Sequence, residues 1–584
     1  MKILSTVTAW LAARTWHGAL LVGLISSLLG LAPAHAEPKR IALLVGVGSY
    51  PGLIQKYQLA GPKPDVEALR DVLAVRWGFQ SADIKTLVNN QATKAAIMQE
   101  LRALAGRSKP GDEILVYFSG HGTSALSGSG IPVPHGSGAF LPYDANPNKP
   151  DFIRALIVGR TDFVPIFSAL EQGGRKLWVI SDSCYSGQQV RSSQLPGNDE
   201  LPARTVPILL DPAEIEKQSI SMGLAANAPA KTPYPYRTVA FLAASAEGEK
   251  ALDVSGPALQ NTPTHDKQPH GAFTDALLRV LKAEIPGDLD SDGLLSLNEV
   301  HRATLDLMAQ RAYSHTPQRL PSVAEDAQGV GNAPVLSMRH VAAKPTQPAP
   351  EPLRVVPLGL SAPLLQALAG VPDVVVVKQG AATDISLTEE KGRVKVIAAS
   401  GDLLAEMDAA SAPVMTAQVR QLAWAKRLRL LAERHRRGAL QMDVDPSLMG
   451  GNFVIGSKIA FVVRPDKAAT LLLLNISSDG KVSVLYPQRA GEAKPLVANA
   501  SVFIPGNEEH LRIKVQEPLG MDLLFAFAFD TPPPGLEKMY HALELDPSDA
   551  RLALLEGWLA SMSSKYTFAT SSLRTLSKPP PKMP

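Results

Sequence analysis

Apolar runs and amphipathic stretches alternate along residues 40–330. Arg40–Val47 (RIALLVGV) is apolar almost throughout, the pattern of a strand covered on both faces. Pro64 and Asp65 open PDVEALRDVLAVRWG, which reads as a helix. IKTLVN reads as a strand, and Thr93 as the cap of a helix over KAAIMQELRALAGR. After a Pro110-Gly111 turn, DEILVYFSGHG is another buried strand. A helix near Thr161–Gln172 leads into a further one, RKLWVISDSC. TVAFLAASA and GAFTDALLRVLKAEI add one strand and one helix. This alternation predicts an α/β domain, doubly wound about a mainly parallel sheet. Its ligand sites should lie beyond the carboxyl ends of the strands.

Residues 37–338 are assigned to this domain. Lys344–Pro352 (KPTQPAPEP) is Pro-rich, and residues 339–353 read as an extended linker. A small α/β and helical region is expected over 354–440. APLLQALAG is its short helix, DVVVV and VKVIAA are strands, and 403–438 is mainly helical with a basic, solvated end stopped by Gly438. Residues 441–540 are expected to be β-rich, with a hairpin at Asp479-Gly480. Residues 541–584 should hold a helix from about Pro547 to Met562 and a polar tail.

Composition narrows the function classes. Lys+Arg 58 against Asp+Glu 55 gives a formal charge of +3 over 584 residues, which argues against a general nucleic-acid binder. Lys2, Arg14 and His17 precede ALLVGLISSLLGL and then APAHA, with Ala34 and Ala36 as the small pair of a cleavage site. Residues 1–36 therefore read as a secretory signal removed before Glu37, and the expected location is periplasmic or secreted. The apolar run is shorter than the roughly 20 residues of a spanning helix, and no later segment is long enough, so no integral membrane segment is expected after signal removal. Cys184 is the only cysteine, so an exported chain has no internal disulfide.

Two strands end in chemistry. YFSGHGT places His121 between two glycines, and SDSCYSG carries Cys184. In a parallel sheet both endings face the same rim. A thiolate nucleophile needs a basic neighbour, and an imidazole on an adjacent strand end supplies one. Backbone N–H groups at Gly122 and Cys184 could hold a tetrahedral oxyanion. Either motif alone has a plain explanation, a buried thiol or a glycine turn. Their joint placement favours catalysis.

The residues from about Arg40 to Ser322 resemble the caspase-like peptidases, and specifically their bacterial metacaspase branch. The motifs are RIALLVGVGSY, LAGPKPD, VYFSGHGT, FLPYDA, ISDSCYSG, AFLAASAEGEKALD and GAFTDALL. The resemblance implies His121 as general base, Cys184 as nucleophile, and peptide-bond cleavage through a thioester. It also implies that Asp182 and Asp65 line the pocket for the residue before the cut, with Arg or Lys as the expected occupant. A helix N-terminal carboxylate is the structural alternative for Asp65. Two departures bear on pocket shape: Tyr185 stands where the family usually has His, and Pro64 where it usually has Asn. The stretch LLLLNISSDGKVSVLYP resembles a β-rich domain of uncharacterised function that follows bacterial caspase-like domains, and suggests partner binding.

Two further features add expectations. GVGSYPG (Gly46–Gly52) reads as a plain loop, because no helix opens on its glycines. DLDSDGLLSLNE matches a twelve-residue calcium loop, with Asp288, Asp290, Asp292, Gly293, Ser296 and Glu299 at positions one, three, five, six, nine and twelve and helices expected on both sides. Calcium is the expected cofactor, and no organic one is implied. A catalytically weak caspase-fold scaffold, binding partners in response to calcium, is the rival function.

The long stretch from Gln188 to Arg237 starts at the active-site rim and carries Arg191, Arg204, Lys217, Lys231 and Arg237. Loops of that length are usually functional or disordered. Self-cleavage is expected there, first at Arg204, because Pro202 and Pro207 push Leu201 and Val206 toward an extended backbone.

Overall fold

The computed structural model describes residues 38–123, 139–184, 203–204, 234, 236–246, 249–311, 313, 315–337, 351–399, 403–445, 451–506, 508–546, 548–561 and 565–577. The apolar runs of the first half become β1 (Arg40–Gly46), β2 (Ile84–Val88), β3 (Glu113–Ser119), β4 (Lys176–Asp182) and β5 (Val239–Ala243). With β6 (Gln318–Leu320) they form a six-stranded sheet in the order β6-β5-β4-β3-β1-β2. All neighbours are parallel except β6 on β5. The order reverses between β1 and β3, as in a doubly wound sheet.

Alternation along each strand divides the core. Ile41, Leu43 and Val45 of β1 face helices α2 (Lys94–Arg107) and α3 (Val164–Gln172). Ala42 and Leu44 face α1 (Pro62–Arg76), α4 (Ala272–Leu281) and α5 (Leu297–Gln310). Every residue of β1 and β3 is buried, so neither strand could carry the polar alternation of a one-sided sheet. Thr93 caps α2, its hydroxyl accepting the Ala96 N–H at 3.2 Å.

Beyond the Pro-rich segment, strands Leu353–Leu358, Val374–Val376, Ile385–Glu390, Arg393–Ala398 and Leu403–Asp408 form a five-stranded sheet beside helices Ala362–Ala369 and Ala412–His435. The helical expectation for 403–438 is corrected at its start: Leu403–Asp408 pairs antiparallel with Arg393–Ala398. Its six residues are too few for periodicity to separate helix from strand. The expected hairpin joins Thr470–Ile476 to Val482–Tyr486, with Gly480 at φ 94°.

The tail also departs from expectation. Helix Ala550–Ala560 is present, but Tyr566–Leu576 is an eleven-residue strand paired antiparallel with Gly520–Phe529. Its Thr and Ser positions read as polar tail, yet most are buried in the pleated sheet.

The described residues from Arg40 onward form one compact unit. The buried face of α5 explains part of this. Arg302 donates to the Thr570 carbonyl at 2.6 Å and pairs with Asp306 at 2.7 Å. Asp306 also takes Arg436 at 2.8 Å and the Thr570 hydroxyl at 3.0 Å. Glu249, next to the strand-end rim, accepts the Gly451 N–H at 3.0 Å. Among the described residues no helix is long and apolar enough to cross a membrane.

Candidate active site

Sheet register brings the two reactive side chains level. Ser119 of β3 lies opposite Asp182 of β4, and His121 and Cys184 each stand two residues further on. Both are buried. The Gly122 backbone passes so close to this strand end that a Cβ there would lie 2.3 Å from the Cys184 carbonyl oxygen, which only glycine avoids. His121 is fixed by its own N–H donating to the Tyr50 hydroxyl at 2.8 Å and by Nε2 at 2.6 Å from the Tyr57 carbonyl. The Cys184 thiol lies 3.0 Å from the Ala251 N–H and 3.7 Å from the Ala251 carbonyl. Burial pushes the thiol up to about 12 and the imidazole down to about 4, so both are uncharged at neutral pH.

Arg204 occupies the space in front of this pair. Its carbonyl oxygen accepts the Gly122 N–H at 3.0 Å and the Cys184 N–H at 3.4 Å, the two donors expected to hold an oxyanion. Its own N–H donates to the Ala251 carbonyl at 2.9 Å, and Ala203 bridges antiparallel to Leu252. The backbone at Arg204 is therefore held like an added strand, the usual posture of a peptide on a sheet edge.

The guanidinium of Arg204 is fully buried in a carboxylate pocket. Nη2 lies 2.8 Å from Asp65 Oδ2 and 2.9 Å from Asp253 Oδ1. Nη1 lies 3.3 Å from Asp182 Oδ2, 3.0 Å from the Asp182 carbonyl and 2.6 Å from the Ser119 hydroxyl. A planar fork with donors on both nitrogens suits this layout. Thr274 gives Asp182 Oδ2 its N–H at 3.1 Å and its hydroxyl at 2.5 Å. His270 Nδ1 lies 2.8 Å from Asp65 Oδ1. Gly271 lines the pocket so closely that a Cβ there would meet Asp182 Oδ2 at 2.0 Å.

The three carboxylates are not equivalent. Burial works against the charge on Asp65, yet Arg204 and His270 hold it below the usual carboxylate range. Burial raises Asp182 to about 6, with Arg204 opposing. Asp253 is raised by burial too. Arg204 moves upward, because its three carboxylate neighbours outweigh burial.

His121, Gly122, Asp65, Asp182 and Cys184 thus converge on one cleft. Asp65 also sits in the first turn of α1, so its helix-terminus and pocket placements coincide. Asp253, Ser119, Ala251 and His270 belong to the same cleft and were not read from the sequence. Asp253 ends the AFLAASAEGEKALD run, but nothing local marks it as a pocket group until the chain folds. Tyr185, Arg191, Lys217 and Lys231 lie outside the described residues, as does residue 1–36. Arg237 is exposed, its N–H bonded to Glu171.

The acidic loop is a second cluster. Carboxylate oxygens of Asp288, Asp290 and Asp292 lie within 4.8 Å of one another. Gly293 N–H donates to Asp288 Oδ2 at 2.9 Å, with Gly293 at φ 86°. Ser296 caps α5 in a capping box with Glu299, whose Oε1 also accepts the N–H of Leu289 at 2.8 Å. Asp288 Oδ1 is buried with no hydrogen-bond partner among the described residues. The donor set is all oxygen and suits calcium. The preceding helix, α4, ends at Leu281, seven positions before Asp288 rather than directly at the loop.

A strand-end His and Cys beneath two converging N–H donors, beside a pocket for a cationic side chain, define the site class of caspase-type cysteine peptidases. Residues 39–327 match the caspase domain family. Residues 452–532 match a domain of unknown function, DUF4384. Metacaspase-7 of Arabidopsis thaliana is 34% identical over 152 residues, covering 25% of this chain and 34% of the relative. Metacaspase-4 of the same plant is 32% identical over 152 residues, covering 25% and 33%. Metacaspase-1 of Plasmodium falciparum is 29% identical over 157 residues, covering 26% and 24%. The chain thus spans about a third or less of the length of these relatives.

Proposed function

We propose that this chain is an exported cysteine endopeptidase that cuts after Arg or Lys, and that its first substrate is its own Arg204–Thr205 bond. The observation that carries the reading is the double anchorage of Arg204: guanidinium among Asp65, Asp182 and Asp253, carbonyl oxygen on the Gly122 and Cys184 N–H groups. In this reading the Cys184 sulfur adds to the Arg204 carbonyl carbon while His121 accepts the thiol proton. The developing oxyanion stays on the two N–H groups. His121 then gives the proton to the departing amine of Thr205. Water hydrolyses the thioester and restores the thiol.

The uncharged pair belongs to the closed, peptide-filled cleft. Departure of the cut segment admits water, relieves the burial that suppresses both charges, and moves the two groups toward their ordinary values. Calcium bound by Asp288, Asp290, Asp292 and Glu299 would brace the start of α5, the helix that docks the second half of the chain. That half would serve as a partner-binding region.

Reaction of the mature protein with an arginyl chloromethylketone, followed by peptide mapping, tests the reading. The label is expected on Cys184 and absent after His121→Ala. A label elsewhere, or none on protein that is cut at Arg204, contradicts it.

A further inference from the structure

We propose that His265, Asp266 and His270 form a binding site for a divalent transition metal of the zinc class, separate from the all-oxygen loop at Asp288. Metal-ligating atoms of the three residues lie within 4.8 Å of one another. His270 Nε2 is 3.1 Å from Asp266 Oδ1, and His265 Nε2 is 3.5 Å from Asp266 Oδ2. Each separation, to its own oxygen of Asp266, is close to the edge of about 3.3 Å of a tetrahedron with bonds of roughly 2.0–2.1 Å. The two rings pack with centroids 4.8 Å apart, and each presents Nε2 to an oxygen of the same carboxylate.

The second observation is what stands behind each ring. His265 Nδ1 lies 3.1 Å from Asp275 Oδ1, and His270 Nδ1 lies 2.8 Å from Asp65 Oδ1. Both carboxylates are buried. A carboxylate on Nδ1 fixes the tautomer that leaves Nε2 as a lone-pair donor, the support that metal-bound histidines characteristically have. Among the described residues His265 Nε2 has no hydrogen-bond partner, its side chain is 1% exposed, and the charged group beside Nε2 is the Asp266 carboxylate at 3.5 Å. A buried ring nitrogen left without a partner is costly in a protein interior. Asp266 is 37% exposed and gives an ion a way in from solvent. The fourth position would belong to water.

Two imidazoles and one carboxylate favour zinc over calcium or magnesium, which take mainly oxygen. The consequence reaches the peptidase cleft. Asp65 holds His270 on Oδ1 and Arg204 on Oδ2. Metal on His270 Nε2 keeps the Nδ1 proton directed at Asp65, so the ion would orient a pocket wall without touching substrate.

The test uses the untagged Cys184→Ala protein, which cannot cut itself and has no thiol to capture an ion. It is titrated with Co2+ and, by calorimetry, with Zn2+. One Co2+ per chain with the intense visible absorption of four-coordinate geometry is expected, unchanged by millimolar Ca2+. His265→Gln and Asp266→Asn should each abolish it; Asp266 is surface-exposed, so that variant keeps its fold, which circular dichroism verifies. The inference is overturned by a weak octahedral-type spectrum, by displacement with Ca2+, or by an undiminished spectrum in the two variants. Because the nucleophile is absent, the result is independent of whether the chain is a peptidase.

Discussion

The backbone N–H of Gly122 donates to the carbonyl oxygen of Arg204 across 3.0 Å. That single bond joins the residue after the imidazole to a residue twenty positions beyond the thiol. With the Cys184 N–H at 3.4 Å it holds the Arg204 carbonyl oxygen between two donors, while the arginine side chain is seated among Asp65, Asp182 and Asp253.

Asp253→Asn should lower kcat/KM for arginyl peptides in protein already cut at Arg204. Hydrogen bonds to charged groups contribute roughly 1.5–3 kcal/mol, so the loss should be about 10- to 100-fold. Asparagine keeps an acceptor for the N–H groups of Ala60 and Gly61, which Asp253 holds at 3.1 Å. Fluorogenic peptide kinetics check this; an unchanged kcat/KM would mean that Asp253 only supports the loop.

Stability should fall as the pH drops below about 6.5. Burial holds His121 and His315 down to about 4 and His301 to about 3. Between these values and about 6.5 the unfolded chain binds protons that the folded chain refuses, so acid favours unfolding. The urea midpoint of the Cys184→Ala protein should be lower at pH 5 than at pH 7. His301→Gln should flatten the difference. Asp182 and Asp522, which burial raises to about 6, act in the opposite direction, so the comparison with His301→Gln decides: an equal pH difference in that variant contradicts the neutral burial of the His301 ring.

Asp306→Ala should destabilise the chain by about 3–5 kcal/mol, because it leaves buried cations without their partner. Arg302 and Arg436 both pair with this carboxylate, at 2.7 and 2.8 Å. Thermal unfolding of the Cys184→Ala background measures it. An unshifted transition would mean that the two halves do not depend on this ion cluster.

Calcium should bind the wild-type chain with measurable heat, lost in Asp288→Ala. Calorimetry at millimolar calcium checks it. No heat from the wild type removes the loop from the account.

The first half of the fold was legible because its strands are long, apolar and buried on both faces, which leaves little ambiguity of period. His121 and Cys184 were legible because each ends such a strand. Asp253 was not, since only tertiary folding carries it from a short strand to the mouth of α1. Nothing local in the sequence marks His265 and His270; the carboxylates behind them, Asp275 and Asp65, come from ten residues downstream and 205 upstream. The strand at Tyr566–Leu576 was missed because its Thr and Ser residues mimic a solvated tail.

N-terminal sequencing of fragments from wild type and Cys184→Ala, expressed and purified side by side, shows whether the chain cuts itself after Arg204. A new N-terminus at Thr205 in the wild type, absent from Cys184→Ala and from Arg204→Ala, is the expected result. The same cut in Cys184→Ala, or an intact Arg204–Thr205 bond in a wild-type protein that hydrolyses arginyl peptides, would contradict it.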